Sequence, residues 1–408
     1  MEIEEALSIL ENVLTPVEGK EVCQLSDAYG RIAAVDIFAP INVPPFAKSA
    51  MDGYAVRAAD VAGASEDAPV QLKVRGQLFA GDWIEGQVVD AAACSDGQPP
   101  AVRVMTGSPL PAGFDSVVMQ EDTDYGEDTV LIYKPVLPGQ NYCPVGEDIK
   151  KGSLVLKAGS KIGRIHIGLL ASLGIEKIQV RRKIRTAIIS TGSELVEAGK
   201  PLAPGKIYSS IAPMLSSSLN NSAVTKVIEN QIVSDDEKEI AGAIKNAVTQ
   251  ADIIITTGGV SVGKKDLLPQ VLESLGVKKI FSQVNIKPGT PTRAGLLDGK
   301  LILSLSGNPY AALVNFDLYF YQAISLLTGC KELSLQKKEA LLKNPYEKIS
   351  GRRCLLRACY EDGNVSVQLQ NNKSSVISSM VDCNCYLDLP AGTSVKKGDR
   401  LQVWIGGK

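Results

Sequence analysis

Apolar residues near the start of the chain recur at the spacing of a helix. The stripe that they form falls at i, i+4, i+7 and i+11 and consists of Ile3, Leu7, Leu10 and Leu14. Residues at these spacings lie on one face of an α-helix, and Pro16 stops the pattern because proline cannot continue a helix. We predict an amphipathic helix whose apolar face packs against the body of the protein.

Residues 181–332 show a different rhythm, in which apolar β-branched runs alternate with helical patterns. This alternation is typical of a mostly parallel sheet covered by crossover helices. Two helix starts are indicated: Ser234 and Glu237 form an S-x-x-E capping box, and Asn308 and Pro309 supply an N-cap and a first-turn residue. In one-letter code, the predicted strands are RTAIIST, VTKVIEN, ADIIITT, KKIFSQV and KLILSLS.

The flanking regions are richer in short strands. Residues 46–139 consist of short apolar stretches broken by proline and glycine, which predicts a small β-rich domain. Residues 1–45 and 140–180 form an N-terminal and connecting region, and alternating apolar residues within 333–408 predict a C-terminal antiparallel β domain. The whole pattern predicts a multidomain α/β and β protein, in which residues 181–332 form a central three-layer α/β domain.

Composition narrows the class of protein. Hydrophobic residues make up 45% and charged residues 22% of the chain, as in an ordinary globular protein. The net charge of −2 argues against a nucleic-acid partner, because coating nucleic acid needs a broad basic surface. No apolar run approaches the roughly 18–20 residues that span a bilayer, and the first residues carry acids where a signal peptide carries basic charge. We expect a cytoplasmic protein with no nucleic-acid or membrane partner.

Residue types that bind soft metals are sparse. The eight cysteines are scattered without a C-x-x-C pair, and His166 is the only histidine. A structural zinc site needs about four cysteine or histidine ligands, so we interpret the cysteines as reduced packing residues. A redox or metal role for Cys383 and Cys385 is the alternative. His166 lies on a predicted helix and is interpreted as a packing residue.

A glycine-rich loop follows the strand Asp252–Thr257. In it, Gly258, Gly259, Ser261 and Gly263 are followed by Asp266 and a predicted helix. Glycines after a parallel strand let backbone N–H groups approach an anion, and the next helix dipole favours negative charge. The loop matches neither G-x-x-x-x-G-K-[ST] nor G-x-G-x-x-G. It predicts a phosphate or oxyanion site, with a tight turn that needs glycine for geometry alone as the alternative.

Two other predicted strands end in similar chemistry. One ends in Ser190-Thr191-Gly192-Ser193-Glu194, and the other in Ser306-Gly307-Asn308-Pro309. Ahead of the latter comes Lys287-Pro288-Gly289-Thr290-Pro291, in which prolines stiffen a turn and Lys287 offers a point charge suited to phosphate. Because carboxyl ends of parallel strands share an edge, these segments predict one ligand site. A solvated turn is the alternative for Lys287.

Longer motifs resemble a known family. The segments GGVSVGKKD, NIKPGTP and LSGNPYAALVNF, in this order and spacing, resemble the pterin-binding domain of molybdopterin molybdenumtransferases, the MoeA and gephyrin E-domain family. PPFAKSAMDGYAV, RVMTGSPLPAGFDSVVMQED and VGEDIKKGSLVLKAGSKI resemble the family's amino-terminal motifs. The resemblance runs from about residue 5 to residue 406.

The resemblance implies an activity and a set of partners. Members of the family insert molybdate into the dithiolene of adenylylated molybdopterin and release AMP, with Mg²⁺ assisting. It also implies an elongated homodimer with each site at the subunit interface, and an upstream molybdopterin adenylyltransferase as a further partner. Phosphates, a tetrahedral dianion and a divalent cation all have to be accommodated.

The matching positions supply candidate residues for each task. The implied catalytic residues are Asp52, Thr106, Asp148, Glu194, Asp235 and Lys287. The implied magnesium ligands are Glu194, Asp235 and Asp266. Beside the four glycine-loop residues already named, the implied cofactor-binding residues are Pro288, Gly289, Gly307, Asn308, Pro309, Arg357 and Ser375. Structural roles are the alternatives: Asp235 and Asp266 favour helix N-termini, and Asp52 and Thr106 suit turns.

The sequence departs from the usual family pattern at four places. Thr290 stands where a second lysine is common, Ser193 where an aspartate is common, and Ser306 where a proline is common; the fourth departure is Ser209-Ser210-Ile211 in place of a D-S/T-N turn. Because the other carboxylates and Lys287 remain, we expect an active enzyme. The competing hypotheses are a tungsten-inserting paralogue, a non-catalytic pterin-binding or scaffold protein, and an adenylyltransferase, against which the flanking domains argue.

Overall fold

The structure, a computed structural model, describes residues 1–83, 97–260, 267–369 and 373–406. The chain divides into two compact units. The larger comprises residues 1–35, 158–164 and 177–408, and the smaller comprises residues 36–157 and 165–176. The domain boundaries predicted above stay a prediction.

The larger unit contains a six-stranded central sheet. Its first four strands run parallel, and the last two join the edge antiparallel. The predicted α/β domain with a mostly parallel sheet is therefore confirmed. In order across the sheet, the strands are Thr225–Val233, Ile184–Thr191, Ile253–Thr257, Lys300–Leu305, Arg293–Leu297 and Lys278–Ser282.

One strand of this sheet was not predicted. Arg293–Leu297 pairs with Lys300–Leu305 through a turn at Asp298 and Gly299, whose φ values are +50° and +73°. Two consecutive residues with positive φ are typical of a type I′ hairpin, for which Asp-Gly is a preferred sequence. The Asp-Gly pair was therefore the available signal, while the short Arg293–Leu297 run has too little alternation to reveal a strand.

The central strands bury side chains on both faces, which makes three layers. On one face, Ile255 and Leu303 pack with Leu215 and Phe320. On the other face, Ile254 packs in a separate core with residues of the helix Glu237–Gln250. Successive side chains of a strand point to opposite faces, so β-branched runs such as Ile253–Thr257 need helices on both sides. The helices are Ile211–Asn220, Glu237–Gln250, Leu268–Ser274, Pro309–Asn315 and Tyr321–Thr328, with a π-helical turn at Phe316–Phe320.

Two helices predicted from the sequence are present in the structure. The helix Ile3–Val13 buries Ile3 and Leu10, as the apolar stripe predicts, while Leu7 is half-buried and Ala6, which lies outside the stripe, is buried as well. Asn308 and Pro309 begin the helix Pro309–Asn315, also as predicted.

The predicted capping box at Ser234 and Glu237 is wrong. Asp236 is the N-cap of Glu237–Gln250, and its carboxylate accepts from the backbone N–H groups of Lys238 and Glu239. The Ser234 hydroxyl instead donates to the Glu239 carboxylate at 2.7 Å. The helix starts two residues later than an S-x-x-E box requires, because an aspartate directly before the helix caps it with two hydrogen bonds.

The carboxy-terminal part of the larger unit is a closed β structure. Its strands are paired antiparallel except for one parallel pair, Gln336–Leu342 with Asn364–Val367, and Arg353–Glu361 closes the sheet by pairing with Cys385–Leu389. The predicted C-terminal β domain is confirmed, although it is not wholly antiparallel. The short strand Ile286–Lys287 of the central domain adds to it in parallel, beside Arg353 and Cys354. The strands among the described residues of this domain are Gln336–Leu342, Arg353–Glu361, Asn364–Val367, Cys385–Leu389 and Arg400–Ile405.

The smaller unit is built on a five-stranded sheet with a core that includes Tyr54, Leu72 and Val118. It also contains all but the first residue of the helix Arg164–Ser172, which lies close to the predicted helix and carries His166. Across the described ranges of the chain, no helix is long and apolar enough to cross a membrane. The strands of this sheet, in order, are Ser116–Met119, Gly53–Val56, Pro100–Val104, Val70–Leu78 and Thr129–Ile132. Two short pairs lie outside it: Ile37–Phe38 pairs with Leu154–Leu156, and Lys48–Ser49 pairs with Tyr142–Cys143.

The larger unit also contains two short pairs of strands outside its main sheets. The strand Lys20–Gln24 runs antiparallel to Lys177–Arg181, close to the strand predicted at Glu176–Val180. A further two-stranded pair, Leu195–Val196 with Ile207–Tyr208, follows the first strand of the central sheet.

The first prediction concerns the cap at Asp236. Asp236→Ala removes the acceptor of two backbone N–H groups, so it should lower the free energy of unfolding by about 1 kcal/mol. Ser234→Ala is the matched control and should change it by less than about 0.5 kcal/mol, because the Ser234–Glu239 contact is surface-exposed. Chemical denaturation of wild type and the two variants measures the difference. If both variants lost the same free energy of unfolding, Ser234 would contribute as much as Asp236 to capping the helix.

The second prediction concerns Asp252, which directly precedes the strand Ile253–Thr257. Its buried carboxylate accepts from the Arg182 guanidinium at 2.7 and 2.9 Å and from the Arg185 backbone at 2.9 Å. Burial by itself raises the pKa of Asp252, but these hydrogen bonds outweigh it and hold the pKa below the ordinary value.

Asp252→Asn should therefore lower the free energy of unfolding at pH 7 by about 2–3 kcal/mol. Because the folded pKa lies below that of the unfolded chain, the carboxylate stabilises the fold above about pH 4, and its contribution is lost as the pH falls further. Denaturation at pH 3 to 7 should show the gap between wild type and Asp252→Asn closing at the acid end. A gap that stayed constant with pH would contradict the assignment.

Candidate functional site

Three strand exits of the central sheet lie side by side. A Cβ built on Gly258 would come within 2.4 Å of the Thr191 carbonyl oxygen, and one built on Gly307 would lie 3.5 Å from the Gly258 Cα. The hydroxyl of Thr257 donates to the Ser190 hydroxyl at 3.0 Å, which links two of the strands just before they end. The exits at Gly192, Gly258 and Gly307 thus form one edge, as parallel pairing requires.

The described glycines of the loop have different roles. Gly258 has φ +91° and its backbone N–H donates to the Leu305 carbonyl at 3.2 Å, so this N–H is not available to an anion. The interpretation of Gly258 as an anion donor is therefore corrected: glycine is needed there for close approach to Thr191. Gly259 has φ +62°. Ser261, Gly263 and Asp266 lie outside the described residues.

Two predicted carboxylates lie at neighbouring exits. The Ser193 N–H donates to the Asp235 carboxylate at 2.9 Å, and the Asp235 N–H donates to the Ser193 hydroxyl at 3.2 Å. The Glu194 carboxylate folds over Gly192, where an added Cβ would lie 2.8 Å from it. Ser193, one of the departures from the family pattern, therefore ties the first exit to the second. The structure brings Glu194 and Asp235 together in this region.

Both carboxylates are suited to a hard cation. They are exposed, and neither has a lysine or arginine within ion-pair distance among the residues that the structure describes. Mg²⁺ prefers oxygen ligands and is commonly held by one or two carboxylates together with substrate phosphates. The described residues contain no cluster of three potential ligands, and Asp266, the third predicted one, lies outside them. The residues present fit Mg²⁺ as a partial ligand set.

The segment Lys287–Thr290 is held rigidly against the helix Pro309–Asn315. The fully buried Asn315 donates to the Gly289 carbonyl at 2.9 Å, and the Thr292 hydroxyl donates to the same oxygen at 2.8 Å. Gly289 has φ +101°, and a Cβ there would come within 2.5 Å of the Asn315 amide. Glycine is required at this position, and Lys287 is presented from a fixed loop.

A cleft of about 1480 Å³ opens beside this loop, between the central and C-terminal domains of the larger unit. Its walls include four cations and one carboxylate, Glu347. The structure brings five of the predicted residues to it: Lys287, Pro288, Gly289, Asn308 and Ser375. Gly307 and Pro309 flank Asn308 in the chain. The four cations are Lys287, Lys348, Arg352 and Lys373.

Sequence reasoning missed three of these cations. Lys348, Arg352 and Lys373 stand in segments without a recognised motif, and only the tertiary fold brings them to Lys287. No carboxylate lies within ion-pair distance of any of the four in the described part of the chain. By contrast, Arg353 is neutralised by Glu4 and Asp388.

Arg357 occupies a different place from the predicted one. Its side chain is fully buried, and its guanidinium donates to the carbonyls of Lys373 and Val376, each at 2.9 Å, and to the Ser379 hydroxyl. The guanidinium also stacks 3.8 Å from the centre of the Tyr310 ring. A buried arginine directed at backbone carbonyls is not a ligand contact. Arg357 instead holds the segment that carries Ser375 against the cleft.

The three remaining candidates lie in the smaller unit. Asp52 accepts from the Thr106 N–H at 2.6 Å and from the Thr106 hydroxyl at 2.7 Å, and these bonds hold the pKa of Asp52 below its ordinary value. The ionised carboxylate of Asp52 thus joins two segments of the smaller unit that are 54 positions apart in the chain. Asp148 is exposed and lies in a loop, and its own backbone N–H donates to the Val43 carbonyl at 3.0 Å.

Comparisons with known proteins agree along the whole chain. Three family profiles match it: the MoeA N-terminal region (domain I and II) at residues 1–174, a probable molybdopterin binding domain at 187–325, and the MoeA C-terminal region (domain IV) at 339–405.

Relatives named molybdopterin molybdenumtransferase cover nearly the full length. The protein of Haemophilus influenzae is 37% identical over 93% of this chain and 92% of its own, and that of Bacillus subtilis is 35% identical over 93% and 88%. The crystal structure of a molybdopterin biosynthesis MoeA protein from Pyrococcus horikoshii has a TM-score of 0.82 at 33% identity, covering 99% of this chain and 98% of its own.

The third prediction compares the effect of an added Cβ at Gly258, where the neighbouring chain is close, with its effect at Gly307, where it is not. Gly258→Ala places a Cβ against the Thr191 carbonyl at a positive φ, so it should lower the free energy of unfolding by about 2 kcal/mol or more. Gly307→Ala meets only ordinary van der Waals distance and should change it by less than about 0.5 kcal/mol. Thermal denaturation of both variants makes the comparison; a tolerated alanine at Gly258 would show that the exits are not closely packed.

Proposed function

Since the chain belongs to the family of molybdopterin molybdenumtransferases, transferases of molybdenum cofactor biosynthesis, we propose that it inserts molybdate into the dithiolene of adenylylated molybdopterin and releases AMP with the assistance of Mg²⁺. The observation that carries the proposal is the cleft in which four cations lie without a carboxylate partner among the described residues. Such a surface suits a substrate with several negative charges.

The chain's own residues have distinct tasks in this proposal. Lys287, fixed by the Gly289–Asn315 contact, binds a phosphoryl or oxyanion group as a point charge. Arg357 and Asn315 act as positioning residues, because they hold the two segments that line the cleft. Asp52, Thr106 and Asp148 remain proposed catalytic residues of the smaller unit. Ser375 and Asn308 provide polar groups that orient the substrate.

Glu194 and Asp235, with Asp266, are the proposed magnesium ligands. When bound there, Mg²⁺ would neutralise charge on the phosphoryl oxygens and so favour departure of AMP. The exits of Glu194 and Gly307 adjoin the Gly258 exit from its two sides, and Gly307 directly precedes Asn308 in the cleft wall. This adjacency supports placing the phosphates between the carboxylates and the cationic cleft.

Several finer features are proposed from the family alone. These are a homodimer, a cytoplasmic location and an interaction with an upstream molybdopterin adenylyltransferase. Tungstate insertion is the alternative activity, since molybdate and tungstate are tetrahedral dianions of similar size. A purified protein incubated with adenylylated molybdopterin, Mg²⁺ and either oxyanion should release AMP. Absence of AMP release with both would favour a non-catalytic pterin-binding or scaffold protein.

The fourth prediction tests the carboxylates. Glu194→Gln and Asp235→Asn should each lower the rate of AMP release at least about 100-fold, because a metal ligand acts on charge that develops in the transition state. Their melting temperatures should stay close to that of wild type, since both side chains are exposed. Raising the Mg²⁺ concentration should restore part of the rate.

Glu197→Gln is the matched control. Glu197 lies three residues further along, is exposed and pairs with Lys200 at 2.7 Å. It should keep the wild-type rate. If Glu194→Gln and Asp235→Asn lost melting temperature but kept near-normal turnover, both carboxylates would be structural.

A further inference from the structure

Arg352 reaches the loop that carries Lys287 from the opposite wall of the cleft. Its Nη1 donates to the Thr290 hydroxyl oxygen at 3.0 Å. That hydroxyl donates its own proton to the Ile286 carbonyl at 2.6 Å. A hydroxyl whose proton is committed to a carbonyl presents only lone pairs on its other side, so it is oriented to accept from a guanidinium.

Strand pairing places Arg352 at this point. Ile286 and Lys287 lie opposite Arg353 and Cys354 in a parallel pair, so Arg352 directly precedes the paired stretch. Successive side chains of an extended backbone point to opposite sides. Arg353 accordingly turns to Glu4 and Asp388, at 2.7 Å from each, while Arg352 turns to the cleft.

The guanidinium of Arg352 has unused binding capacity. Arginine carries five N–H donors, and the contact with Thr290 uses one of them. Arg352 is exposed, and within the described residues its guanidinium has neither a carboxylate partner nor a second hydrogen-bond acceptor. The arginine is thus held at one end, with its charge and its remaining donors directed at the volume that Lys287 also lines.

We propose that Thr290 and Arg352, together with Lys287, form a subsite for a tetrahedral oxyanion group in the cleft. Thr290 orients the guanidinium, and Arg352 binds two oxygens of the anion in its planar fork. The proposal rests on the proposed function only for the choice of anions: the oxyanion is either molybdate or the phosphate of the adenylyl group. Both are tetrahedral groups that carry negative charge on their oxygens.

Calorimetric titration of the full chain with sodium molybdate and, separately, with AMP tests the subsite without turnover. Arg352→Gln should raise Kd for at least one of the two anions on the order of tenfold, the loss expected for a hydrogen bond to a charged group. A loss for molybdate alone assigns the subsite to the metal oxyanion, and a loss for AMP alone assigns it to the phosphate. Lys338→Gln, which removes an exposed cation of the same domain outside the cleft, should leave both values within about twofold.

The role of Thr290 is tested by a double-variant cycle. Thr290→Val removes the hydroxyl but not its volume, so it should weaken binding less than Arg352→Gln does. Arg352→Gln combined with Thr290→Val should bind no more weakly than Arg352→Gln alone, because the hydroxyl acts through the arginine. If the factors by which the two single substitutions raise Kd multiplied in the double variant, Thr290 would contact the anion independently of Arg352.

The subsite is overturned if folded Arg352→Gln binds both anions with wild-type affinity, or if wild type binds neither. AMP release by wild type separates this outcome from failure of the proposed function. Wild-type turnover, together with an unchanged rate and affinity in Arg352→Gln, would remove the subsite and leave the transferase. Anion binding that depends on Arg352 in a protein without turnover would keep the subsite and remove the proposed reaction.

Discussion

The parallel pairing of three strands is the constraint on which the rest of the larger unit depends. Ile184–Thr191, Ile253–Thr257 and Lys300–Leu305 are hydrogen-bonded side by side and end at one edge. The first two exits can lie that close only because Gly258 carries no Cβ, which would otherwise meet the Thr191 carbonyl oxygen at 2.4 Å. As a result, Glu194 at the first exit and Asn308 in the cleft wall at the last lie along the same edge of the sheet.

The elements that sequence patterns predicted are those governed by local periodicity. The β-branched runs of the central sheet and the stripe on Ile3–Val13 fix which faces are buried, so they appear in the structure as predicted. The errors arose where two local signals compete. Asp236 and Ser234 are both good caps, and only the folded backbone selects Asp236.

The site was predictable where motifs carry it and hidden where the fold creates it. Lys287, Gly289 and Asn308 belong to motifs, and they line one cleft. Arg352 lies 62 positions from its partner Thr290 and meets it only because a two-residue strand joins the C-terminal domain. Arg357, predicted as a ligand, is buried behind the cleft, because burial of a side chain cannot be read from a motif.

The cations of the cleft and the carboxylates of Glu194 and Asp235 form no ion pairs with one another among the described residues. Lys287 and Arg352 face a cleft with no paired carboxylate in the described ranges, while Glu194 and Asp235 are likewise unpaired with cations there. Had the two groups formed ion pairs, neither would keep affinity for a ligand of opposite charge. The proposed polyanionic substrate and divalent cation would match both groups at once, because the basic wall would bind the substrate's negative charge and Glu194 and Asp235 would hold the cation. In the proposed subsite, threonine at position 290 is compatible with activity, because the fold brings the Arg352 guanidinium to Thr290 from the C-terminal domain.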